Sequence, residues 1–506
     1  MAASIYPLVV KSFCSDNHAC CFVPQQARVS TWMDTGTKKT QATAFLSVSS
    51  FVAGKTLAQP RLRRLLHGGR GLSFRVHQRP SRVWTLVASL EQRESGRKLD
   101  SATEAVQKLY NAYPFPPDPP TSGAPPGYNW RWHYPTAYAF CAKGRVPATT
   151  KVRILDAGCG TGCGTEYLVH LNPQAEVVAF DLSPTALATA RERLELSVPD
   201  ARHRTSLYCK SIFDLEDGEI SGRFDMINCV GVIHHTPDPA RALQMLAGKL
   251  APGGILHVFV YAEAGRWEIR RMQAAIALIQ EATGSKGDYK KGVALGRALF
   301  RALPDENRLK KRENERWAHD NRSDATFADM YVHPLEHDFD VPSVLALAEK
   351  SGLRFLGWSN ARNFDLDHLL GNDPEVRQLV QGLSDAERWR LVELLDPERI
   401  THFEFFLARD PFPSTEPTDD EIAASIPEWS ECAYGAPSEL VLDRDYRPVS
   451  LSAAQVAFAK QMVADASSGG ALSNRRRTRE LMEASGCTLD QVRMLIRAGL
   501  VHIRAP

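Results

Sequence analysis

The sequence predicts an α/β protein with a doubly wound, seven-stranded, mostly parallel sheet. Two observations support this prediction. Short apolar runs alternate with helical patterns from residue 151 onward, and a glycine-rich loop directly follows the first run. Such alternation is typical of parallel βαβ units, whose strands are buried on both faces and therefore read as continuous apolar runs. The predicted strands are Val152–Leu155, Val177–Phe180, Leu207–Cys209, Met226–Val230, Ile255–Tyr261, Leu353–Trp358 and His402–Ala408.

Helical patterns also form insertions in this α/β arrangement. After the fifth predicted strand, residues 266–282 repeat apolar side chains at helical spacing, and a polar, charge-rich stretch follows. Residues 374–397 are again helical and separate the last two predicted strands. We therefore expect one helical insertion after the fifth strand and another between the sixth and the seventh.

The chain is long enough for several structural units. We expect a sheet-forming core completed late in the sequence and a small, mainly helical C-terminal module resembling a winged helix. The predicted boundaries are a leader over 1–90, an N-terminal cap over 91–150, the ligand-binding core over 151–265, a helical lid insertion over 266–342, the rest of the sheet over 343–410, a linker over 411–450 and the C-terminal module over 451–506.

The leader has the composition of an organellar transit peptide. Its only acidic residues are Asp16 and Asp34, whereas basic and hydroxyl residues recur throughout. The opening Met1-Ala2-Ala3-Ser4 and the segment Val87-Ala88-Ser89 favour a chloroplast destination, with the mitochondrion as second choice. The alternative is an N-terminus that lacks structure and has no targeting role.

The overall composition narrows the possible partners. A net charge of +2 gives no reason to expect general binding to nucleic acid or to anionic membranes. The apolar runs are too short for a membrane span, which needs about 18–20 residues. The ten cysteines include no Cys-x-x-Cys pair, and we find no metal-ligand cluster in the sequence, so no metal site is predicted.

The strongest local signal is the glycine-rich loop in Ile154–Gly164, with the sequence ILDAGCGTGCG. Glycines let the backbone turn sharply and approach a ligand, and the following helix N-terminus favours an anionic group. The loop is not a dinucleotide fingerprint of the form G-x-G-x-x-G. The third glycine position falls on Cys163 when counted from Gly158, and on Thr165 when counted from Gly160.

A second acidic position lies at the end of the second predicted strand. Asp181 stands where a carboxylate can accept hydrogen bonds from both hydroxyls of a ribose, about 20 residues after the glycine loop. The alternative is a helix N-cap before Ser183-Pro184. The spacing therefore indicates a nucleoside-containing ligand.

Together, the acid before the loop, the D-x-G-x-G-x-G order and Asp181 resemble class I S-adenosylmethionine-dependent methyltransferases. The segment His234-His235-Thr236-Pro237-Asp238 is similar to the HH-x-PD segment of ubiquinone/menaquinone-type members, and the flanking regions resemble uncharacterised plant and cyanobacterial members. The resemblance implies S-adenosylmethionine as cofactor. The cofactor-binding residues that it implies are Asp156, Ala157, Gly158, Cys159, Gly160, Gly162, Asp181, Leu182, Ser211, Ile212 and Val230.

One edge of this implied cofactor site departs from the commonest pattern. Many members carry an aspartate after the third strand that contacts the adenine amino group, and the aligned residue here is Ser211. Its hydroxyl or the Ile212 backbone N–H could serve instead, and Asp214 is an alternative. Leu182 is expected to flank the adenine ring.

The resemblance also implies positions for the catalytic and acceptor groups. His234 and His235 are expected at the junction of cofactor and acceptor, where a histidine can act as a general base. The alternative is that one of them caps the next helix and orients the loop. Tyr331 and His333, in a loop-like stretch of the insertion, are candidate acceptor-binding residues, and the alternative is a lid held by internal hydrogen bonds.

The first functional hypothesis is methyl transfer to a small molecule, such as a quinone, a lipid or another metabolite. The second is a protein or RNA methyltransferase that uses the C-terminal module, with its basic run Arg475–Arg479, to hold the substrate. The absence of an N/D-P-P-Y motif after the fourth strand argues against methylation of adenine N6 or a glutamine amide. A third hypothesis is a non-catalytic binding scaffold, against which the intact loop and Asp181 argue.

Overall fold

A computed structural model describes residues 100–122, 129–147, 151–371, 373–468 and 472–505, so the predicted leader lies outside the described residues. Its central feature is a sheet with the strand order β3-β2-β1-β4-β5-β7-β6. These strands are β1 (Arg153–Ala157), β2 (Glu176–Asp181), β3 (Thr205–Cys209), β4 (Phe224–Val230), β5 (Leu250–Tyr261), β6 (Arg354–Trp358) and β7 (His402–Ala408). The prediction of a seven-stranded α/β sheet is confirmed.

Most neighbouring strands of this sheet are parallel. β7 runs antiparallel to both of its neighbours, β5 and β6. The chain builds β1, β2 and β3 in one direction and then returns to add β4 on the other side of β1. In open α/β sheets ligands bind at the carboxyl ends of the strands where the order reverses in this way. A site is therefore expected beside Ala157 and Val230.

Helices cover both faces of the sheet and extend beyond it. In α4, Pro184 occupies the first turn and the Ser183 hydroxyl accepts a hydrogen bond from the Ala186 N–H, which is a favourable way to begin a helix. The helices of the cap, core and insertions are α1 (Ser101–Ala112), α2 (Tyr134–Cys141), α3 (Cys163–Leu171), α4 (Pro184–Ser197), α5 (Pro239–Lys249), α6 (Trp267–Ala282), α7 (Tyr289–Ala302), α8 (Arg308–Arg312), α9 (Asp324–Tyr331), α10 (Val341–Ser351), α11 (Leu366–Leu370), α12 (Pro374–Val380) and α13 (Asp385–Leu395).

The lid formed by α6–α9 has an apolar core of its own, which includes Met272, Trp317 and Phe327. Helix α1 of the cap joins this core through Leu109, and the Tyr289 hydroxyl of α7 donates a hydrogen bond to the Ala105 carbonyl oxygen. The predicted cap and the predicted lid therefore pack on each other, although many residues separate them in the sequence.

The C-terminal region corrects the predicted linker over 411–450. This segment contains secondary structure because β8 pairs with β11 at the far end of the module and because Ile422 and Val441 are buried in the module's core. Its elements are α14 (Asp419–Ala424), β8 (Ile426–Trp429), β9 (Leu440–Leu442), β10 (Pro448–Ser450), α15 (Ala453–Ser467), α16 (Thr478–Ser485), α17 (Leu489–Arg497) and β11 (Val501–Arg504). In the described part of the chain, no helix is both long enough and apolar enough to cross a membrane.

A row of buried polar side chains crosses the middle of the sheet. The Asn228 amide donates to Asp156 Oδ1 at 2.9 Å, and the Asn228 Oδ1 accepts from His257 Nδ1 at 2.9 Å. His257 Nε2 lies 3.0 Å from Glu404 Oε1, and Arg131 Nε lies 2.6 Å from Glu404 Oε2. Burial acts to raise the pKa of Glu404, but Arg131 and His257 outweigh it and hold that pKa well below its usual range.

We predict that Glu404→Ala lowers the free energy of unfolding by about 3–5 kcal/mol, because it leaves Arg131 and His257 without their buried counter-charge. Chemical denaturation followed by tryptophan fluorescence measures the change. Glu349→Ala, which removes an exposed carboxylate from α10, is the control and should stay within about 0.5 kcal/mol of the wild type. Equal effects of the two substitutions would contradict the structural role of the row.

Candidate active site

A cavity of about 480 Å³ lies at the carboxyl ends of the parallel strands, beside the point where the strand order reverses. Its floor is the glycine loop after β1, and its walls include the ends of β2 and β4. The other sides are formed by part of α1, by the Phe115–Asp118 segment of the cap and by residues His319–Ser323 of the lid. The cavity has the size of a small-molecule site.

The glycine loop needs glycine where the cap passes over it. Gly160 has a φ of +52°, and a Cβ there would lie 2.3 Å from the Phe115 carbonyl oxygen. The same carbonyl accepts a hydrogen bond from the Thr161 N–H at 3.0 Å, and the Thr161 hydroxyl donates to the Pro116 carbonyl oxygen at 2.6 Å. The cap segment is therefore fixed directly above the loop.

Asp156 supports the loop from below. Its Oδ2 accepts from the Thr165 hydroxyl at 2.6 Å and its Oδ1 from the Asn228 amide at 2.9 Å. Burial raises the pKa of this carboxyl group, while the two hydrogen bonds lower it. Cys159, Gly158 and Asp156 line the cavity with Gly160, whereas Ala157 is buried beneath it. The predicted residue Gly162 packs against Ala190 and is not part of the cavity wall.

Asp181 lines the cavity at the end of β2. Its carboxylate accepts from the Gly160 N–H at 2.8 Å and from the Ser183 N–H at 2.7 Å. Burial raises the pKa of Asp181, and these backbone hydrogen bonds lower it. The helix cap of α4 is Ser183 itself. Asp181 is thus available to a ligand and also fixes the glycine loop.

The edge expected to hold adenine consists of Leu182, Ser211 and Ile212, all of which line the cavity. Ser211 Oγ accepts from the Phe213 N–H at 3.3 Å. Asp214, the alternative to Ser211, is not part of the wall. Phe213 contributes an aromatic surface that the sequence analysis did not select.

The two adjacent histidines have different positions. Val230 and His235 line the cavity, but His234 does not. The His234 ring is fully buried between His235 and Tyr261, with ring centroids 4.1 Å from each, and neither of its nitrogens has a hydrogen-bond partner. Burial holds the pKa of His234 well below its usual value. The expectation that His234 meets the acceptor is corrected, because the turn after β4 directs its ring into the protein.

His235 is oriented by the lid. Its Nδ1 lies 2.8 Å from the Leu335 carbonyl oxygen, to which it donates, so Nε2 is left with a free lone pair. Burial lowers the pKa of His235, although Asp329 acts in the opposite direction. The ring is therefore neutral at neutral pH.

Neither predicted acceptor-binding residue lines the cavity. The Tyr331 hydroxyl donates to Glu313 inside the lid, which is the internal role weighed as its alternative. His333 stacks on His235 with ring centroids 3.7 Å apart. Asp329 and Tyr110, which the sequence analysis did not select, do line the cavity, and the Tyr110 hydroxyl donates to Asp329 Oδ1 at 2.8 Å. The signal available in the sequence was an acidic residue, Asp329, four positions before His333.

Known proteins resemble this chain over different shares of its length. A family model described as a methyltransferase domain matches residues 155–256. An uncharacterized protein of Synechococcus is 52% identical over 404 residues, covering 79% of this chain and 93% of that protein. The ubiquinone biosynthesis O-methyltransferase of Xanthomonas campestris is 37% identical over 105 residues, covering 21% of this chain and 41% of that enzyme. The structure of PKMT2 from Rickettsia typhi in complex with AdoHcy has 18% identity and a TM-score of 0.48, covering 75% of this chain and 77% of that one.

We predict that Asp181→Ala weakens binding of S-adenosylmethionine by about 10- to 100-fold, which corresponds to roughly 1.4–2.8 kcal/mol of lost charged hydrogen bonding to the ribose. Isothermal titration calorimetry measures the affinity. Asp214→Asn, which changes a carboxylate outside the cavity, is the matched control and should leave the affinity unchanged. If Asp181→Ala bound as tightly as the wild type, Asp181 would not be the ribose-binding acid.

Proposed function

The chain belongs to the class I S-adenosylmethionine-dependent methyltransferases, and we propose that it transfers the cofactor's methyl group to a small molecule such as a quinone, a lipid or another metabolite. The observation that carries this proposal is that both the cap and the lid form walls of the cavity. These walls come from residues between Thr103 and Met330, with the cap on one side and the lid on the other. A concave site of about 480 Å³ is suited to a compact acceptor.

The lining of the cavity supports one arrangement of the cofactor and the acceptor. A ribose on Asp181 and an adenine against Leu182 occupy one end, and the methionine part then lies over the glycine loop. We infer that the acceptor lies at the end with His235, Asp329 and Tyr110, which also line the cavity. This polar end suits an acceptor that presents a hydroxyl or another polar group beside the methyl carbon.

Methyl transfer requires the protein mainly to align the two reactants. An electron pair on the acceptor forms the new bond to the methyl carbon, and the electrons of the broken carbon–sulfur bond remain on sulfur. Holding the two reactants in line and excluding water supplies much of the rate enhancement in reactions of this kind. The lid and the cap segment over Gly160 are the parts of this chain that would do both.

The second candidate, a protein or RNA acceptor, receives less support from the C-terminal module. The module contributes no residue to the cavity wall in the described part of the chain. Its basic run is partly neutralised within the module, since Arg475 pairs with Glu428 and Arg476 pairs with Asp465. These arginines therefore have a structural use.

We predict that the full chain, incubated with a plastid-rich extract and S-adenosylmethionine labelled in its methyl group, transfers label to the organic-soluble fraction. The limited volume of the cavity, about 480 Å³, is the physical reason for expecting a small product. Scintillation counting after solvent extraction measures the distribution, and Asp181→Ala should remove most of the label. Label that appears only in the macromolecular fraction would contradict the proposal and favour a protein or RNA acceptor.

The double variant Arg477→Gln/Arg479→Gln separates the two candidates further. Both side chains are exposed, so the substitutions leave the packing of the module intact. For a small-molecule acceptor we expect unchanged transfer of label, within about twofold. A loss of transfer to macromolecules would identify the basic run as part of a substrate surface.

A further inference from the structure

Three side chains that are distant in the sequence meet at the acceptor end of the cavity. His235 follows β4, Asp329 belongs to α9, and His333 follows that helix. All three residues are more than nine-tenths buried, and their nitrogen and carboxylate atoms lie within 4.8 Å of one another. Two imidazoles and a carboxylate in such proximity form a potential ligand set for a metal ion.

The groups behind two of these side chains hold them in a form suited to ligation. Because His235 donates through Nδ1 to the Leu335 carbonyl oxygen at 2.8 Å, its Nε2 keeps a free lone pair. Asp329 accepts through Oδ1 from the Tyr110 hydroxyl at 2.8 Å. Backbone carbonyls and hydrogen-bonding side chains of this kind orient metal ligands in many proteins.

The third side chain, His333, has an unpartnered polar atom at this place. Its Nε2 is buried without a hydrogen-bond partner, which is unfavourable unless another group satisfies it. Its Nδ1 accepts from the Leu335 N–H at 3.1 Å, so the neutral ring carries its proton on Nε2. Ligation through Nε2 therefore requires this proton to move to Nδ1, and the Leu335 N–H then gives up its hydrogen bond to that nitrogen.

The local charges also favour a cation. The buried carboxylates in this region are Asp329, Glu336 and Asp338. The positive charges facing them are Arg266, which binds Glu336 at 3.1 Å, and the partly exposed Arg270, which binds Asp338 at 3.1 Å. Arg266 also acts on Asp329, but its salt bridge is to Glu336 rather than to Asp329.

We propose that His235, Asp329 and His333 bind one divalent transition-metal ion, such as Zn²⁺, at the acceptor end of the cavity. Imidazole ligands select ions of this class over Mg²⁺ and Ca²⁺, which prefer oxygen ligands. Sites with three protein ligands keep a position for water or substrate. His235 and Asp329 both line the cavity, so that position is accessible to the acceptor.

The role that we assign to the ion rests on the proposed function. The binding of the ion does not depend on that function. The ion that these three residues would hold would lower the pKa of an acceptor hydroxyl, which would then lose its proton to solvent more readily. The acceptor oxygen would form the bond to the methyl carbon, and the electrons of the carbon–sulfur bond would go to sulfur. The products are the methyl ether and S-adenosylhomocysteine.

The test uses the full chain after treatment with a chelator, titrated with Zn²⁺ by calorimetry at neutral pH. We expect one ion per chain, and we expect Asp329→Asn and His333→Gln each to weaken binding by at least about 100-fold, since even partners of metal ligands contribute 10- to 100-fold. His319→Gln is the matched control, because His319 lies at the cavity wall with an exposed ring outside the cluster. It should leave the affinity unchanged.

Two further measurements separate loss of the metal site from loss of the fold. Titration with S-adenosylhomocysteine shows whether each variant retains its fold and its cofactor site. The visible absorption spectrum of Co²⁺ bound to the wild-type chain reports nitrogen and oxygen ligands without relying on any variant. Absence of a bound ion in the wild type, or equal affinity in all variants, overturns the proposal. Failure of the proposed function is distinguishable, because it would leave metal binding intact while label appeared only in macromolecules.

Discussion

The architecture depends on the buried row that joins Asp156, Asn228, His257, Glu404 and Arg131 across the sheet. Because the Asn228 amide group is committed to Asp156, its oxygen accepts from one His257 nitrogen, and the other nitrogen donates to Glu404. His257 thus connects Asn228 to Glu404 through its two ring nitrogens. A well-packed apolar row is often equally stable, so stability alone does not account for it. Instead, the row fixes the position of the Asp156 carboxylate, which supports the glycine loop.

The row also explains why the cap and the C-terminal module belong to the same structure as the core. Next to Arg131, the Trp130 indole donates to Asp445 of the module at 2.9 Å, and the Arg444 guanidinium lies 4.9 Å from the Trp130 ring. Contacts from the module therefore reach the same part of the cap that neutralises Glu404. The module acts on the cavity through this support, since its residues do not form the wall.

The sequence alone was sufficient to predict the features that depend on residues close together in the chain. Strand periodicity predicted the sheet, and the glycine loop with Asp181 predicted one end of the cavity. It was insufficient where distant segments meet. The segment 411–450 read as a linker because β8 finds its partner only in β11, and Asp329 was overlooked because its neighbour Tyr110 precedes it by more than 200 residues. Similarly, the rotation of the turn after β4, which separates the roles of the two histidines, has no periodic signal.

That turn places His234 and His235 in a column of rings that sets the chemistry of the acceptor end. His333, His235, His234 and Tyr261 follow one another with centroid separations of 3.7, 4.1 and 4.1 Å, and the Arg266 guanidinium lies 3.4 Å from the Tyr261 ring. Imidazoles packed closely together near a fixed cation cannot readily accept protons, because each new charge would be buried beside another. The column therefore stays neutral at neutral pH. A neutral imidazole keeps the lone pair that an ion or an acceptor hydroxyl requires, so the packing that hides His234 makes His235 usable.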